Sequence, residues 1–207
     1  FQNSGQTHSR TLMQMAENLL KNCDLEPQDI DACAVADGPG SFTGVRIGVA
    51  AAKGFSWGRE IACYGVSTLE AMARGAAITD GVFCCCMDAR RAQVYNAVFE
   101  KTGSELVRLR KDRAISLDDL CEDLQNIEKP IFLVGDGAEL CYTTLLERLP
   151  QLTLLPEHLR QQRASGVALA AWEKIGRGES GDAASLVPNY LRLSQAERAR
   201  LEKTKTE

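Results

Sequence analysis

Apolar residues recur every three or four positions between residues 8 and 23. Leu12, Met13, Ala16, Leu19, Leu20 and Cys23 fall on one face, and Arg10, Gln14, Glu17 and Lys21 on the other. That period predicts an amphipathic helix. DLEPQDID breaks the pattern, and the short apolar run 32–36 reads as a strand. A glycine-rich loop, DGPGSFTG, separates it from a second helix over 43–57. The run 61–66 is another strand. Ser67 stands at the N-cap of a helix that continues to Ala76, with Glu70 at the capping-box position. The order helix, strand, helix, strand, helix is the rhythm of an α/β layer.

A boundary is expected near residues 78–81, dividing an N-terminal lobe (1–79) from a C-terminal lobe (80–207). Three successive strands follow: VFCCCM, AQVYNAVFE and ELVRLRK, with turns at DARR and KTGS. A helix is predicted over 115–125 with Ser116 as N-cap. PIFLVGDGA is a strand running into a glycine turn, followed by a helix over 139–149 and an alanine-rich helix over 165–177. GESGDAAS is a loop, then VPNYLRL, then a charged tail.

The helix over 43–57 is apolar around most of its circumference. Val45, Ile47, Gly48, Val49, Ala50, Ala51, Ala52, Gly54, Phe55 and Trp57 leave only Arg46 and Lys53 as a polar stripe. Such a helix is buried on two sides. One side faces its own sheet. Gly44, Gly48, Ala51, Ala52 and Phe55 form a second seam of mostly small residues, which admits either a helix of a partner or the chain's first helix. On the first helix the matching positions are Leu12, Met15, Ala16 and Leu19. The loop residues Gly38, Pro39, Gly40, Ser41, Phe42, Thr43 and Gly44, with Arg46 just beyond, offer bare backbone and hydroxyls that could face a phosphate. They equally suit a tight turn. The stretch matches neither G-x-x-x-x-G-K-[ST] nor G-x-G-x-x-G, and Pro39 lacks an N–H.

Composition narrows the function classes. In 207 residues, 44% are apolar and 25% charged, as in an ordinary globular protein, and the net charge of −4 argues against an independent grip on nucleic acid. The densest basic stretch, VRLRKDR at 107–113, is broken by Asp112 and reads as a solvated strand edge and turn. There are eight cysteines but no C-x-x-C, and only two histidines, His8 and His158, which disfavours a zinc site. Cys84, Cys85 and Cys86 read as small hydrophobes in a buried strand, as expected in a reducing compartment. No run reaches the ~20 apolar residues of a membrane span. The chain begins at Phe1 in FQNSGQ, without methionine; a missing beginning is expected, and a leader is left open.

Four stretches, in order along nearly the whole chain, carry a resemblance: GPGSFTGVRIG at 38–48, GVSTLEAMA at 65–73, MDARRAQVYNAVF at 87–99 and VPNYLR at 187–192. Together they resemble the bacterial TsaB family, also called YeaZ. The resemblance implies a two-lobe α/β fold of the actin/Hsp70/sugar-kinase type, ribonuclease H-like, with N-terminal strands ahead of the present chain. It implies a cytoplasmic, non-catalytic scaffold or activator subunit of the complex that forms N6-threonylcarbamoyladenosine in tRNA. Its partners would be the catalytic relative TsaD and the ATPase TsaE, with a second copy of itself as an alternative, and tRNA would be met only through the complex. The family docks through its first two long helices, which corresponds to the two-sided apolar helix here. The catalytic relative carries an H-x-x-x-H metal pair where this chain has Thr68 and Met72, a poor hard-metal site. No catalytic residue, metal or cofactor is therefore expected. The rival is a small ATPase or phosphotransferase of the same fold, using residues 38–44 and Gly135, Asp136 and Gly137, with Asp88 and Asp136 holding magnesium through water rather than serving turns. A protease is disfavoured, since neither H-E-x-x-H nor G-x-S-x-G occurs.

Overall fold

The computed structural model describes residues 8–59 and 61–192. The first layer comprises α1 (His8–Asn22), a 3-10 turn (Pro27–Asp29), β1 (Ala32–Gly38), α2 (Phe42–Trp57), β2 (Ala62–Ser67) and α3 (Thr68–Ala76). β1 and β2 pair in parallel from Ala32↔Ala62 to Ala36↔Val66, so α2 is the crossover that a parallel pair requires. Both strands end at one edge, where Gly38 meets Ser67. The two helices leaving that edge are each capped by a serine: Ser67 Oγ accepts from Glu70 N at 3.1 Å, as expected, and Ser41 Oγ accepts from Gly44 N at 3.3 Å. Glu70 does not complete a capping box. Arg74 and Arg108 hold its carboxylate, and two guanidinium partners outcompete one backbone N–H.

The second layer contains β3 (Gly81–Asp88), β4 (Gln93–Thr102), β5 (Glu105–Ser116), α4 (Leu117–Leu124), β6 (Ile131–Val134), α5 (Ala138–Leu145), β7 (Leu152–Leu154), α6 (Glu157–Arg160) and α7 (Ala164–Gly176). Its sheet order is β5-β4-β3-β6-β7, an antiparallel meander extended by two parallel strands. The central β3 is buried on both faces. Val82, Cys84 and Cys86 face α4 and α5, while Phe83, Cys85 and Met87 face α3. Cysteine therefore acts here as a small core residue, and all eight are free thiols.

Five elements differ from the sequence expectation. β5 runs through residues 107–113 without a turn and on to Ser116, because its ladder with β4 continues through two bulges; α4 accordingly starts at Leu117. The helix expected over 139–149 ends at Leu145 and continues as turns. β7 and α6, three and four residues long, carry too little periodicity to be read, and His158 sits in α6.

α3 lies between the layers. Leu69, Met72, Ala73 and Ala76 pack against Phe83, Phe99 and Val134 of the larger sheet. α7 then returns the chain to the first layer, packing Ala170 and Ala171 on Val66 and fitting Gly166 against the backbone of Ala71, where a Cβ would stand 2.1 Å from the carbonyl oxygen. Lys174 Nζ donates to Gly65 O at 2.7 Å, and Leu186 joins Val49, Ala52 and Cys63 in the core beneath α2. Residues 164–192 thus cover the smaller sheet.

Candidate functional site

α1 does not fill the seam on α2. Between the two helices, Leu12, Ala16 and Leu19 from α1 and Gly48, Ala51, Ala52 and Phe55 from α2 line an apolar groove of about 340 Å³, floored by Cys33 and Val35 of β1. A second recess of about 480 Å³ continues it past Met13, Leu20 and Gly54. Leu12, Met15 and Leu19 are 38%, 42% and 64% exposed. These side chains leave apolar surface in water along one side of α1. The small residues divide between two tasks. Gly48 stands 3.4 Å, measured from an added Cβ, above Val35 Cγ2, so it lets α2 settle on its own strand as well as opening the groove. Ala52 is in the core. Met15 and Gly44 are outside the groove lining.

The glycine loop turns at the carboxyl edge of β1. The Gly38–Pro39 bond is cis, and Gly38 has φ of 136°. A Cβ there would lie 2.3 Å from Asn189 O, so only glycine fits. The other partner is VPNYLR, which sequence alone left unassigned. Asn189 N donates to Asp37 O at 2.7 Å; the Tyr190 ring stacks on Phe42 with centroids 4.4 Å apart; Arg192 donates to Ala89 O at 2.8 Å. Arg46 lies over the Phe42 ring, 4.1 Å from its centroid, and its Nε donates to Tyr190 Oη at 2.7 Å. Lys53 Nζ donates to the carbonyls of Ala184 and Leu186 at 3.0 Å each. Residues 184–192 therefore form a strap along α2 that ties the helix and the glycine loop to the β3–β4 turn. Gly40 packs over Val45, and Thr43 is exposed in the first helical turn.

Polar groups gather where β1 and β2 end. Burial lifts the Asp37 carboxyl to about 6; the charge of Lys174 opposes the rise and that of Asp112 adds to it. Asp112 accepts from Ser67 Oγ at 2.5 Å and from Arg108. Burial acts to raise the Glu70 carboxyl, but hydrogen bonds from Arg108 and Arg74 outweigh it and hold the group below its ordinary value. Arg110 and Arg113 both pair with Asp123. The basic stretch is therefore largely neutralised within the fold. Asp88 Oδ1 accepts from Arg90 N at 2.7 Å in a turn, while burial raises the Asp136 carboxyl, with Asp88 adding to the rise. Thr68 and Met72 are 6% and 2% exposed and pack in the core. Among the described residues, no group of three or more histidine, cysteine or carboxylate side chains is placed to hold a metal ion, and no helix is long and apolar enough to cross a membrane.

The family described as TsaD, tRNA N6-adenosine threonylcarbamoyltransferase, matches residues 2–200. The chain is 35% identical over 199 residues to the tRNA threonylcarbamoyladenosine biosynthesis protein TsaB of Bacillus subtilis, covering 96% of this chain and 85% of that protein. It is 33% identical to the Escherichia coli protein of the same name, covering 63% of this chain and 58% of that one. A Pseudomonas aeruginosa crystal structure described as similar to peptidase YeaZ superposes with a TM-score of 0.73 at 24% identity, covering 90% of this chain and 85% of that one. The fold is the mixed α/β type of the actin-like group that the resemblance implies.

Proposed function

The chain belongs to the TsaB family of tRNA threonylcarbamoyladenosine biosynthesis proteins, and on that footing we propose that it is a cytoplasmic, non-catalytic subunit that docks the catalytic TsaD protein through α1 and α2. The observation that carries this is the open groove between those helices, rimmed by Leu12 and Leu19. A helix pair from a related protein supplies like-on-like packing, the geometry of an isologous contact. A second copy of the chain would use the same face when TsaD is absent. TsaE joins as the ATPase, and tRNA is met through the assembled complex. The threonine and methionine at 68 and 72, buried as packing residues, favour an architectural role. The cap on α2 weighs against the rival ATPase reading, since Ser41 Oγ already accepts from Gly44 N, one of the loop N–H groups that a phosphate would need.

The test is co-purification with TsaD and TsaE followed by a reconstituted tRNA modification assay. Turnover is expected only with TsaD present. Turnover by the chain alone, or complex formation that survives charges at both Leu12 and Leu19, would overturn the proposal.

A further inference from the structure

The arginines of the densest basic stretch are paired with carboxylates, whereas seven other described arginines are not, and four of those seven lie along the strap and the turn it meets. Arg46, Arg90, Arg91 and Arg192 form no ion pair among the described residues. The strap brings them to one edge. Arg192 is hydrogen-bonded to Ala89, the residue before Arg90, and Arg46 is held by Tyr190, two residues before Arg192. Gly40 and Met87 close the gap between the glycine loop and the end of β3.

The backbone at Arg90 and Arg91 is a second, independent observation. Arg90, Arg91 and Ala92 have φ of 62°, 58° and 54°, three consecutive non-glycine residues in the left-handed region. Glycine or asparagine adopts that region at lower cost. The turn is fixed by Arg90 N to Asp88 Oδ1 and by Ala89 N to Gln93 O, and it presents two exposed arginines at its tip. Strain of this kind concentrates where side chains are held for a ligand.

We propose that Arg46, Arg90, Arg91 and Arg192 form a collar that contacts backbone phosphates of the RNA substrate within the assembled complex. Guanidinium forks match phosphate oxygens. Tyr190 stacks on Phe42 with one face and is 40% exposed, so the rest of its ring adds aromatic surface of the kind on which unpaired bases stack. An acidic protein segment would need no such ring. The identity of the polyanion rests on the function proposed above. The overall charge of −4 keeps the isolated chain a weak RNA binder, so the collar acts as an auxiliary contact once a partner has engaged the tRNA.

The experiment compares the wild-type chain with the double variant Arg90→Asn and Arg91→Asn, which removes two charges while suiting left-handed backbone. Arg110→Gln with Lys111→Gln serves as a charge-matched control on β5. Each protein is assembled with TsaD and TsaE, and tRNA transcript binding is titrated by anisotropy across a salt series. The collar variant should bind about tenfold more weakly at low salt, with the slope of log affinity against log salt reduced by about 1.5, while the control stays near wild type. Complex assembly and melting temperature are read in parallel. Wild-type affinity and slope in the collar variant would overturn the proposal. So would unchanged tRNA binding with weakened TsaE association, which would assign the arginines to a protein contact. If the wild-type chain fails to co-elute with TsaD, the docking reading falls; the same variants are then titrated alone at low salt, where lost affinity supports the collar and equal affinity refutes it.

Discussion

Asp37→Asn should stabilise the protein at neutral pH and do nothing at pH 4. The carboxyl lies near the end of β1 beside Gly65, and burial lifts it from 3.8 to about 6, with the charge of Lys174 opposing the rise and that of Asp112 adding to it. Between those values the folded chain holds a proton that the unfolded chain has released. Raising the pH through that window therefore removes stability. The favourable contribution of the neutral acid is fully present below about 4 and gone above about 6. At about 1.4 kcal/mol per pKa unit the ceiling is roughly 3 kcal/mol. Asp37 is only partly buried, so solvent screening reduces this to about 1–2 kcal/mol.

Asparagine keeps the shape and removes the charge. Asn189 bonds the backbone oxygen of residue 37, so the strap is untouched by the change. Urea unfolding of both proteins from pH 4 to pH 8 measures the difference. Glu70 and Asp123, whose carboxyls are held low, contribute stability that is gained as pH rises, so each protein alone gives a composite curve. The difference between the two curves isolates residue 37. It should be near zero at pH 4 and grow to about 1–2 kcal/mol by pH 7, a melting-temperature gain of about 3–6 °C. A variant no more stable than wild type at pH 7, or a difference that does not vary with pH, would refute the reasoning.

Gly38→Ala must place a Cβ on the carbonyl of Asn189 at a φ that alanine resists, and should cost about 3 kcal/mol or more by denaturant titration. Ser67→Ala removes both the α3 cap and a bond to Asp112, and should cost about 2 kcal/mol, whereas Ser116→Ala on the exposed α4 cap should cost about 1. Leu12→Asp with Leu19→Asp changes exposed positions, so circular dichroism and melting should stay near wild type while sedimentation shows loss of TsaD association.

Local signals in the sequence located most elements because their causes are local. Ser67 and Ser116 cap helices with hydroxyls that need only the next three residues, and VFCCCM announces a two-sided strand through its own composition. What escaped depends on distant partners. VPNYLR has no period of its own; it is ordered by Asp37, Phe42 and Ala89, each about a hundred or more positions away. The arginines at 108, 110 and 113 looked like a solvent-facing run, but β5 carries them to Glu70, Asp112 and Asp123. The seam on α2 was visible as a pattern. Whether α1 would close it depended on packing geometry, and the exposed Leu12 and Leu19 record that it stays open.

The groove and the arginine collar share α2. Arg46 lies in its second turn, and the groove residues Gly48 to Phe55 occupy the turns that follow. At 1.5 Å per residue, a partner seated over Ala51 is about 8 Å along the helix axis from Arg46. The helix cannot shift without disturbing the strap, because Lys53 holds Ala184 and Leu186 while Arg46 holds Tyr190. Docking on the apolar face would therefore fix the collar beside the docked protein rather than on a remote surface. On this proposal, an acidic chain would add charge-assisted contacts only where a partner has already placed the nucleic acid. That makes the collar's effect conditional on assembly: the collar variant should change tRNA affinity more in the complex than in the isolated chain.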